Sequence, residues 1–100
     1  MHESLDNIKS RIENAKRILQ ALEQKLGEAI RRFNEASKTN SKLILNTDLV
    51  EEFIRRMGVL NWYMKRDDSY IPLDSEMKDL QSEIDRFIKE INLALQPKSE

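Results

Sequence analysis

Leu5, Ile8, Ile12, Ala15, Leu19, Leu22, Leu26, Ala29 and Phe33 follow one another at alternating steps of three and four residues without a miss. Side chains at that spacing share one side of an α-helix, so the pattern predicts a long helix over residues 4–36 with a single apolar seam. At 1.5 Å per residue such a helix is a rod of about 50 Å. Ser4 stands where an N-cap is wanted, and Asp6 suits the positive end of the helix dipole. Ile18 and Ile30 flank the seam and widen it. A stripe of that width calls for two neighbouring helices rather than one.

Residues 37–41, Ser-Lys-Thr-Asn-Ser, break the pattern with polar side chains that compete for backbone hydrogen bonds. A second seam follows in Leu43, Asn46, Val50, Phe53, Met57, Leu60 and Met64, and predicts a helix over residues 41–65. Asp48 and Glu51 have the spacing of a capping box, which gives an alternative, later start and leaves residues 42–45 as an apolar lead-in. Residues 66–72 form the next connection and end in a proline, which a first helical turn tolerates. Leu73, Met77, Leu80, Ile84, Phe87, Ile91 and Ala94 make a third seam, flanked by Ile88 and Leu95, for a helix over residues 72–96 that Pro97 stops.

Short connections between three amphipathic helices favour antiparallel neighbours, so the expected architecture is all-α. It is one 1–100 domain, an up-down-up three-helix bundle with coiled-coil-like packing and a long N-terminal helix. That first helix is about ten residues longer than the others can cover. Leu5, Ile8 and Ile12 are therefore expected to be short of company, and an uncovered apolar stripe marks an interface.

Composition narrows the function classes. Apolar residues make up 39% of the 100-residue chain and charged ones 35%, with two glycines and two prolines, as long helices with solvated outer faces require. There is no cysteine, which rules out disulfides, thiolate zinc sites and cysteine nucleophiles. The opening MHESLDNIKS lacks the apolar core of a secretory signal, and no apolar run is long enough for a bilayer, so a cytoplasmic protein without membrane contact is expected. The net charge of -1 is unevenly spread. Residues 4–66 carry thirteen Lys and Arg against eight Asp and Glu, whereas residues 67–96 carry three against eight. An acidic third helix lying on a basic first pair accounts for that division, and a basic binding face is its alternative.

Candidate chemistry is sparse. His2 is the lone histidine and sits at a terminus, and no Glu-x-x-His pair completes a carboxylate-bridged metal site. Gly27 and Gly58 both fall in predicted helices, so no phosphate-cradling loop exists. No catalytic, cofactor or metal residues are therefore assigned, and neither an enzyme nor a small-molecule binder is expected. One cluster stands out, Asn61-Trp-Tyr-Met-Lys-Arg66 together with Tyr70. With Met57 and Leu60 in the seam, Trp62 points away from it and shares an outer face with Arg55, Val59 and Arg66. Trp and Arg are enriched at binding hot spots. Alternatively Tyr70, Ile71 and Leu73 fold back and cap the Trp.

Two functions follow as expectations. The first is a non-enzymatic interaction or assembly module that self-associates as a homodimer or recruits a partner helix, through Leu5, Ile8, Ile12, Arg55, Trp62 and Arg66. The second is nucleic-acid binding, with Arg31, Arg32, Arg55, Arg56, Lys65 and Arg66 on phosphates. No cofactor is needed for either.

Overall fold

The computed structural model describes residues 5–67 and 70–96, and Ser4, His2 and Pro97 lie outside them. Three helices follow in order, α1 (Leu5–Ser37), α2 (Thr47–Arg66) and α3 (Asp74–Leu95). The protein is an all-α three-helix bundle, with α1 packed on both other helices. Leu26 and Ile30 of α1 share a groove with Ile54 and Met57 of α2, while the earlier Lys16 and Gln20 share one with the later Asn61 and Lys65. Rising numbers on α1 thus meet falling numbers on α2, and these two helices are antiparallel. Arg11 and Ala15 meet Met77 at the start of α3, and Arg32 meets Asn92 near its end, so α1 and α3 run parallel.

The core is the three seams. Ile12, Ala15, Leu19, Leu22, Leu26, Ala29 and Phe33 of α1 are buried against Val50, Phe53, Met57, Leu60 and Met64 of α2 and Met77, Leu80, Ile84, Phe87 and Ile91 of α3. Alternating small Ala15 and Ala29 with larger leucines lets α1 sit close to both neighbours. Phe53 and Phe87 meet edge to face at 5.7 Å, a favoured arrangement for two rings. Among the described residues no buried side-chain polar atom lacks a hydrogen-bond partner. Ile18, Ile30 and Ile88 are half-buried beside the seams, as flanking positions should be.

The second helix starts at Thr47, six residues later than the favoured start at residue 41, and the seam does not extend back to Leu43. Two local interactions explain the delay. Asn40 Oδ1 accepts from the Lys42 amide at 3.1 Å, and Asn46 Oδ1 accepts from the Leu49 amide at 3.2 Å. The second of these makes Asn46, not Asp48, the N-cap. Between them Leu43 and Leu45 pack on the core while Ile44 is 85% exposed, the in-out alternation of extended chain rather than helix. At the third helix the ends of the expected seam lie outside the core. Leu73 is the N-cap residue with an exposed side chain, Ala94 is exposed, and Pro72 is buried instead.

Candidate helix-docking surface

The mismatch in length positions the first part of the surface. The 33 residues of α1 outrun the 20 of α2 and 22 of α3. Since Met77 of α3 reaches only as far as Ala15 and Arg11, the leading turns of α1 stand beyond the third helix. Burial falls off along the seam. Ile12 is 7% exposed and belongs to the core, Ile8 is half-buried, and Leu5 is 66% exposed. Of the three candidate contacts on this helix, only Leu5 and Ile8 therefore offer apolar surface. They line a groove of about 400 Å³ with Lys9, Glu13 and Lys16, closed at one side by Met64 of α2.

The second part lies on the outer face of α2. Trp62 is 52% exposed. The Arg66 guanidinium lies 4.8 Å from its ring centroid, a cation–π contact that keeps the indole oriented. Tyr70 does not cap Trp62. It stacks at 5.2 Å on Tyr63, which itself meets Trp62 edge-on at 5.1 Å, and burial pushes the Tyr70 phenol above its ordinary pKa. Ile71 turns to the core and Leu73 to solvent. Ile54, Val59 and Tyr63 are further exposed apolar side chains on this helix, and Ile54 was not among the candidates. Its signal was present, since it lies one residue beyond Phe53 of the seam and so at its margin.

The six basic candidates do not form one patch. Arg31 is held by Glu28 at 2.6 Å, a contact that raises the arginine's pKa and lowers the carboxylate's. Arg32 donates to Asn92 Oδ1 at 2.8 Å, and Arg56 to Glu83 Oε2 at 2.8 Å. The Arg56 hydrogen bond holds Glu83 below the usual carboxylate range, and Glu83 in turn raises Arg56. Arg66 lies over Trp62, while Arg55 and Lys65 are exposed. Ile30 is level with Ile54, so Lys65 lies about 16 Å further along α2 from the region of Arg31 and Arg32.

The three grooves between helices differ. Arg56–Glu83 bridges α2 and α3, and Arg32–Asn92 bridges α1 and α3. The groove between α1 and α2 is walled by Lys16, Gln20, Glu23, Asn61 and Lys65. Among the described residues no group of three or more His, Cys, Asp or Glu is placed to hold a metal ion, and no helix is long and apolar enough to cross a membrane. Comparison of the chain with known protein families, characterised proteins and solved structures finds no match.

Proposed function

We propose that this protein is a non-enzymatic assembly module of the cytoplasm, whose role is to dock helices of another polypeptide chain against α1 and α2. The observation that carries the reading is the unroofed start of α1, where an apolar seam continues past the helices that would bury it. A helix laid against Leu5 and Ile8 would remove their surface from water, worth about 25 cal/mol per Å² of apolar area. Trp62, with Arg66 beside it, supplies the large, semi-rigid anchor that dominates many interfaces. The absence of cysteine fits a reducing compartment.

Site-specific photo-crosslinking in cells tests this. A photoreactive residue at position 5 or 62 is expected to give discrete adducts, at twice the chain mass for self-assembly or at another defined mass for a recruited protein. The same residue at Lys25, an exposed α1 position away from the surface, serves as control. No adduct above that control at either position would contradict the module.

A further inference from the structure

Helix α2 carries a second three-four stripe, which runs from the margin of the α1–α2 groove onto its outer face. Glu51, Ile54, Gly58, Trp62 and Lys65 follow one another at steps of three and four, and all five are exposed. Ile54 and Trp62 are each more than half exposed. The stripe reads symmetrically about its centre. Ile54 and Trp62 lie four residues on either side of Gly58, and Glu51 and Lys65 lie seven residues on either side, with opposite charges.

Gly58 itself is unexplained by the single chain. A mid-helix glycine is less favourable than alanine by roughly 1 kcal/mol, yet a Cβ built on Gly58 would meet nothing within 4 Å. The same holds for Gly27, which lines the facing wall of the α1–α2 groove beside Met57 and Ile54. Both glycines therefore leave open space where a side chain would otherwise hold an approaching backbone at a distance.

We propose that a second copy of this chain docks here, with the two α2 helices antiparallel and crossing at Gly58. The proposal rests on the module reading and names its partner. A two-fold axis at the crossing sets each residue against the one equally far on the other side of Gly58. Ile54 of each copy then packs on Trp62 of the other, and Glu51 of each copy meets Lys65 of the other. Two apolar pairs and two opposite-charge pairs result from one stripe. Self-complementarity of this kind is what an isologous interface requires, and it decides for a second copy over an unrelated helix. One helix pair crossing over four turns covers less than a standard interface, so the dimer is expected to be weak and to form with rising concentration.

Sedimentation equilibrium of the full chain tests this, with three variants. The wild type is expected to pass from 11.8 kDa towards twice that mass with rising concentration. Lys65→Glu turns both charge pairs repulsive and should weaken the dimer about tenfold. The double variant Glu51→Lys with Lys65→Glu restores the pairs with signs exchanged, and dimerisation with them. Gly58→Ala should move two properties in opposite directions. The dimer weakens because methyl groups enter the crossing, while the monomer's thermal midpoint rises by about 5 °C because alanine favours the helix. A wild type that stays monomeric to about 0.5 mM, or a dimer indifferent to both the charges and Gly58, overturns the proposal. Crosslinks from position 62 to a different protein, with a monomeric wild type, would overturn self-pairing while leaving the module standing.

Discussion

Leu5 and Ile12 occupy the same seam two turns apart, and the difference between them is what their neighbours provide. Ile12 lies level with the start of α3, whereas Leu5 stands past it and keeps most of its surface in water. Ile12→Ala is therefore expected to lower the stability of the isolated chain by about 2–3 kcal/mol, the lower part of the range for a buried aliphatic because the site lies near the bundle's end. Leu5→Ala should change it by less than about 0.5 kcal/mol. Urea unfolding of both variants at low concentration checks the contrast. Whether a seam residue is core or surface was not legible from spacing alone. The steps of three and four are identical at Leu5, Ile8 and Ile12, and only the endpoints of the other helices distinguish them. The same limit applies to Leu73 and Ala94, which continue the α3 pattern but stay exposed. Trp62 was legible in direction, because its angle from Met57 and Leu60 follows from helix geometry. Its openness was not, because that depended on where Tyr70 would stack.

At the scale of the element, α1 and most of α3 could be read from their periodicity, and the start of α2 could not. A three-four pattern counts Leu43 and Asn46 as seam positions, but extended chain also buries alternate residues, and Leu43 and Leu45 do that on either side of exposed Ile44. What decides between the two is the Asn46 side chain, which accepts the Leu49 amide and leaves the preceding residue outside the helix. Asn46→Ala is expected to cost about 1 kcal/mol and to increase hydrogen exchange in the first turn of α2. Asn46→Asp should keep both near wild type. Amide exchange followed by NMR reports both outcomes, and equal protection in the alanine variant would place the cap elsewhere.

Across the whole molecule, the uneven charge of the sequence has a limited internal counterpart. The basic α2 meets the acidic α3 through Arg56 and Glu83, whose side chains stay partly in water. Such a link orients the helices more than it stabilises them. Glu83 is held below its ordinary pKa in the folded chain, so its contribution is present above the unfolded carboxylate's pKa. It is lost as the pH falls through the folded value. Glu83→Gln should accordingly lower stability at pH 7 by less than about 1 kcal/mol, and the difference from wild type should vanish in acid. The bundle itself followed from three seams and short connections, and so did the overhang of α1, whose seam is the longest; how far along Leu5, Ile8 and Ile12 burial reaches needed the structure, because it depends on where α3 begins.

Trp62 is the chain's one tryptophan, so its fluorescence reports on the proposed surface without labelling. At nanomolar concentration the emission should be red-shifted and readily quenched by iodide. At several hundred micromolar it should shift to the blue and become protected, as a second helix covers the indole. A spectrum and quenching constant that stay the same over that range would contradict the pairing of two copies through α2, and an indole already protected in the dilute chain would contradict the surface itself.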